Sequence, residues 1–87
     1  MRIFFTDHFF KQWNKRVENK MRESKIKYIV RKRAYHAFRQ GVKCNKNGDF
    51  EVMIFPTIFV VLVAQSNGFV AVTAVRKHSQ NQAQAKG

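Results

Sequence analysis

The hydrophobic period of this chain changes at Gly41, and that change constrains the fold more than any single motif. Before it, apolar residues recur every three or four positions; after it, they alternate or run on. Phe9, Phe10, Trp13, Val17 and Met21 make one stripe, which predicts a helix from a cap at Thr6 or Asp7 to about Arg22. Glu23 and Ser24 then offer a break and a second cap. Ile26, Ile29, Val30, Ala34, Ala37 and Phe38 repeat the helical period up to Gly41, a residue type suited to the position just past a helix end. Ahead of both helices, residues 2–5 read as a short strand.

Beyond Gly41 the pattern is that of a sheet. Residues 42–46 and 50–55 flank Asn47-Gly48, a strong hairpin signal because both positions accept positive φ. Pro56-Thr57 interrupts the ladder, residues 58–64 are continuously apolar, Ser66-Asn67-Gly68 marks a turn, and residues 69–75 read as the last strand. The expected fold is α+β, with two N-terminal helices packed on a four- to five-stranded, mainly antiparallel sheet in the order β-α-α-β-β-β-β. Residues 1–77 are expected to form one domain. Residues 78–87, rich in Ser, Gln, Asn, Ala and Gly, are expected to form a flexible tail.

Charge divides the chain at nearly the same place. Of 17 Lys and Arg, all but Arg76, Lys77 and Lys86 precede residue 47, and residues 47–75 contain none. The net charge of +12 on 87 residues repels itself, and a polyanionic partner is the usual compensation. Cys44 is the single cysteine, which excludes an internal disulfide and a cysteine-based zinc site. His8, His36 and His78 lack metal-ligand spacing, so no metal or cofactor is expected. The longest apolar run, 54–64, is too short to span a bilayer, and Thr6, Asp7 and His8 cut off any leader-like run at the start. The expectation is a cytoplasmic protein that avoids membranes.

Three groups of residues carry candidate chemistry. On the first helix His8, Lys11, Lys15 and Arg22 project opposite the Phe/Trp stripe, as cations converging on a phosphate backbone would. A charged solvated face is the plainer reading of the same residues. On the second, Tyr28, Arg31, Lys32, Tyr35 and Arg39 share one side, where rings can stack on bases while cations hold phosphates. Tyrosines at the rim of a core, with hydroxyls in water, are the alternative. Arg33 projects toward the apolar face, and the sequence leaves its role open. At the end of the last strand, Arg76, Lys77 and His78 combine a proton carrier with cations for a phosphorane, or are merely a basic strand end.

The opening MRIFFTDHFFKQWNKRV, with Lys11, Trp13 and Lys15, resembles RelE/HigB-type ribonuclease toxins of the barnase/EndoU/colicin/RelE superfold. The stretch FEVMIFPTIFVVLVAQSNGFVAVTAVRKH is similar to the closing meander of that family. The resemblance implies a RelE-like fold and metal-independent cleavage of RNA, often ribosome-bound mRNA. By position Arg76, Lys77 and His78 would match the family's basic C-terminal strand end; with His8 as the alternative proton carrier they are the candidate catalytic residues, and an acidic antitoxin or other acidic protein would be the partner. Two departures accompany it: residues 50–75 lack the family's usual Lys and Arg, and no Tyr follows the last strand. The competing expectations are a non-catalytic nucleic-acid-binding regulator or phage-type accessory protein, and a module that seats on an acidic protein.

Overall fold

The computed structural model describes residues 2–17 and 20–77. Its elements run β1 (Ile3–Phe5), α1 (Asp7–Arg16), α2 (Glu23–Arg39), β2 (Phe50–Phe55), β3 (Ile58–Gln65) and β4 (Gly68–Arg76). The strands form one mixed sheet in the order β1-β4-β3-β2, with β1 parallel to β4 and the other two pairings antiparallel. The α+β class, the two helices and the mainly antiparallel sheet therefore match expectation.

Three details differ. First, residues 42–46 are not a strand, because only Cys44 bridges to Phe50. The Val42 amide donates to the Ala37 carbonyl and finishes the helix end instead. Asn45 then folds the next residues over its own side chain, whose Oδ1 accepts from the Asn47 and Asp49 amides. Second, α1 stops at Arg16 rather than near Arg22, with Val17 already extended. Met21 packs against the core from outside the helix. Third, the second helix has Arg22 as its N-cap without a side-chain cap bond, so Ser24 lies inside the first turn.

Local chemistry explains the rest. Thr6 Oγ1 accepts from the Phe9 amide at 3.0 Å, and Asp7 in the first turn with Lys15 and Arg16 in the last suits the helix dipole. Gly41 closes α2 with φ +87°. Phe9, Trp13, Ile26, Val30 and Ala34 are buried from the helices, and Val52, Ile54, Ile58, Val60, Leu62, Ala71 and Ala74 from one face of the sheet. Ala71 and Ala74 let α1 lie close on β4, where Phe9 and Trp13 fill the space.

Two bulges adjust which side chains face that core. In β4, Ala71 pairs with Leu62 and Thr73 with Val61, which leaves Val72 extra and turns both Ala71 and Ala74 inward. In β2, a shift between Met53 and Phe55 brings Phe55 onto the helix side, its ring 6.1 Å from that of Trp13. The other face carries Phe4, Met53, Phe59, Val61, Val63, Val70 and Val75, which alternate with the core residues along their strands. None of these belongs to the helix-side core, and no described helix covers them.

Candidate nucleic-acid interface

The expected cation–tyrosine constellation comes together on α2. Its apolar side is fixed by Ile26, Val30 and Ala34, so Tyr28, Arg31, Lys32, Tyr35 and Arg39 all lie exposed on the far side. Tyr28 and Tyr35 are 62% and 49% exposed, far more than rim tyrosines that keep only a hydroxyl in water. Each ring is paired with a cation one turn later: Lys32 Nζ lies 5.9 Å from the Tyr28 centroid and the Arg39 guanidinium 5.6 Å from that of Tyr35. Arg39 Nη1 also donates to Tyr35 Oη at 2.9 Å, which ties the cation to that ring.

Arg31 is anchored differently. Its Nη2 donates to the Ile3 carbonyl at 3.2 Å, and its guanidinium sits 5.2 Å from the Phe5 centroid. The residue thus ties α2 to the edge strand β1 and has guanidinium N–H groups to spare for a phosphate. Ile3, Ser24, Tyr28, Arg31, Lys32 and Tyr35 line an open groove of about 400 Å³. Sequence reasoning missed Ser24 and the Ile3 carbonyl. Ser24 was legible, because it lies one turn before Tyr28 on the same face. The Ile3 contact was not, because it joins positions 28 residues apart.

The described carboxylates leave this face alone. Among the described residues the only ion pair joins Lys77 to Glu51, so Arg31, Lys32 and Arg39 have no carboxylate partner. Arg33 resolves as exposed, lining a second groove with His36, Gln40, Glu51 and Met53 at the β2 side of α2. His8, Lys11 and Lys15 are exposed along α1, as expected, but Arg22 lies beyond that helix and does not share its face.

The residues expected at a cleavage site are placed apart. Arg76 Nη2 donates to the Arg16 carbonyl, at the C-terminal end of α1. Lys77 crosses the Phe59 ring, 5.3 Å from its centroid, to pair with Glu51. The Lys77 ammonium, hydrogen-bonded to Glu51, holds that carboxyl below the usual glutamate range, against the opposing effect of desolvation and with help from Asn45. His8 sits in the first turn of α1, eight residues before Arg16, or about 12 Å along the axis at 1.5 Å per residue. His78 lies outside the described residues.

Among the described residues no three of His, Cys, Asp and Glu gather as metal ligands. No described helix is long and apolar enough to cross a membrane. No protein-family model, curated protein or solved structure matches this chain.

Proposed function

We infer that the protein binds single-stranded RNA through the exposed face of α2. The observation that carries this reading is the pair of cation-backed tyrosines, Tyr28 with Lys32 and Tyr35 with Arg39, beside the Arg31 anchor. Two rings about two helical turns apart can each take a base face, and the cations between them meet the connecting phosphates. Unstacked bases are what single-stranded RNA and its loops present, whereas a duplex offers none to stack on. The resemblance of the segment around Lys11, Trp13 and Lys15 to RelE/HigB-type toxins supports RNA as the polyanion.

The metal-independent endoribonuclease reading needs Arg76, Lys77, His78 and His8 around one phosphate. Arg76 and Lys77 are engaged with Arg16 and Glu51, and the helix-free sheet face is mainly apolar. Binding is therefore the reading that the described geometry supports best, and acidic antitoxin or regulator partners enter only as competitors for the same cations.

The test is fluorescence anisotropy of a labelled single-stranded RNA, titrated across salt. Base stacking contributes about 1–3 kcal/mol per ring, so Tyr28→Ala and Tyr35→Ala should each weaken binding by roughly 5- to 150-fold. Removing Arg31, Lys32 and Arg39 together should flatten the salt dependence by about two units of slope, at about 0.7 per phosphate on a single strand. Equal affinity for duplex DNA, or full affinity in both tyrosine variants, would sink the reading. Chelator-resistant cleavage of the probe that is lost on His8→Ala or His78→Ala would move the protein to the enzyme class.

A further inference from the structure

The helix-free face of the sheet raises a separate question, which does not rest on the RNA reading. Two rows of apolar cross-strand pairs, Phe4–Val70–Val63 at one end and Val75–Phe59–Met53 at the other, flank a middle row in which Val61 sits between Glu51 and Thr73. Phe4 is 45% and Met53 55% exposed, and Val61 and Val63 between them are partly exposed. Among the described residues the charged element on this face, Lys77 with Glu51, is internally neutralised. An open antiparallel sheet usually turns polar residues to water, so this face is built for burial.

We propose that a second copy of this chain covers this face, in a two-fold pairing of sheet against sheet. Area supports it. Three strands contributing about six residues each at about 3.3 Å, and the three-residue β1, spaced about 4.8 Å apart, cover roughly 340 Å² before side-chain relief. With relief the two copies together bury on the order of 1,000 Å², at the low end for a specific interface.

Charge placement supports it too. Residues 47–75 contain no Lys or Arg, so most of the +12 lies on the helix layer. Sheets packed about 10 Å apart, each backed by its own helices about 10 Å away, hold the two basic layers roughly 30 Å from one another. That is several times the Debye length of about 8 Å at physiological salt, so self-repulsion is largely screened. Other occupants fit less well. Among the described residues a polyanion would meet Lys77 on the face, already paired with Glu51, and Arg33 at its β2 edge beside Met53. The segment 78–87 contains no branched aliphatic residue and no Phe, Tyr or Trp to fill the face. The pairing would leave both α2 faces outward, as a bivalent polyanion binder.

Sedimentation equilibrium of the full chain, after nuclease treatment and in 0.5 M salt with reductant because Cys44 is exposed, reads the outcome. A 10.3 kDa chain should show concentration-dependent dimer at micromolar concentrations, as about 1,000 Å² interfaces commonly do. Val61→Glu and Val63→Glu should each weaken the dimer about 100-fold or more while far-UV circular dichroism stays unchanged, since both side chains point out of the fold. Tyr28→Ala should leave it intact. A monomer at every concentration overturns the proposal, as does a dimer indifferent to both valine variants. Dimer seen only before nuclease or at low salt also overturns it, by assigning association to bound nucleic acid.

Discussion

Gly68→Ala should be the most damaging single-methyl change in the protein. Gly68 opens β4 at φ +143°, outside the range that side-chain-bearing residues favour. A Cβ there would lie 2.4 Å from the Arg2 carbonyl oxygen and 2.9 Å from the Arg2 Cβ. The first obstacle is backbone, so no rotamer change relieves it, and β1 must shift. That shift strains the hydrogen bond from the Phe69 amide to the same Arg2 oxygen, 2.9 Å in the native chain. The backbone conformation costs an alanine about 1–3 kcal/mol, and the weakened hydrogen bond about another 1. The expected loss is therefore about 2–4 kcal/mol, or a melting temperature lower by roughly 10–25 °C for a domain of this size. Gly48→Ala is the control, because Gly48 has φ +86° but nothing within 4 Å of an added Cβ. It should cost only the conformational share, about 1–2 kcal/mol. Urea unfolding followed by circular dichroism measures both. If Gly68→Ala costs no more than Gly48→Ala, the close approach of β1 to the Gly68 turn is wrong.

Two further outcomes follow from the core and the one ion pair. Trp13 is fully buried and its Nε1 has no hydrogen-bond partner among the described residues. Trp13→Phe removes that unpaired donor while keeping most of the ring, so its urea midpoint should imply a change within about 1 kcal/mol, against about 3–5 for Trp13→Ala. The Lys77–Glu51 pair lowers the folded-state value of Glu51, so its contribution is present above the unfolded value near 4.5 and fades as pH falls through the folded one. With the two side chains 48% and 28% exposed, solvent limits that contribution to less than about 1 kcal/mol. Lys77→Met should therefore flatten the acid limb of a stability–pH curve slightly, and a large drop at neutral pH would contradict a surface pair.

The sequence made the layers legible because each half keeps one period. Phe9, Trp13 and Val17 sit every fourth residue, Val52 and Ile54 or Val60 and Leu62 every second, and the structure buries all of them. What it hid depended on competition or on distance. Residues 42–46 look like the first arm of a hairpin, yet Val42 is drawn into closing α2 and Asn45 into bonding its own loop. Val17 and Met21 continue a helical stripe, but Val17 turns extended and no signal in the run of charged residues marks the stop. The α2 constellation was readable because all its members lie on one helix. The occupations of Arg76 by Arg16 and of Lys77 by Glu51 were not, since they join positions 60 and 26 residues apart. The apolar helix-free face was half visible: residues 58–64 are apolar at both parities, as a strand buried on two sides would be.

The parallel pairing of Ile3 with Phe69 joins the first and last described strands, 66 residues apart. During synthesis β1 therefore finds its neighbour only once β4 has followed it. At about 5–20 residues per second, the stripe of α1 waits several seconds with no sheet to cover Phe9 and Trp13. Separation on this scale also raises contact order and slows the closing step once the chain is free. During that interval the part of the chain already made is its basic half. Its charge, which costs stability in the finished domain, repels neighbouring nascent copies and delays their aggregation.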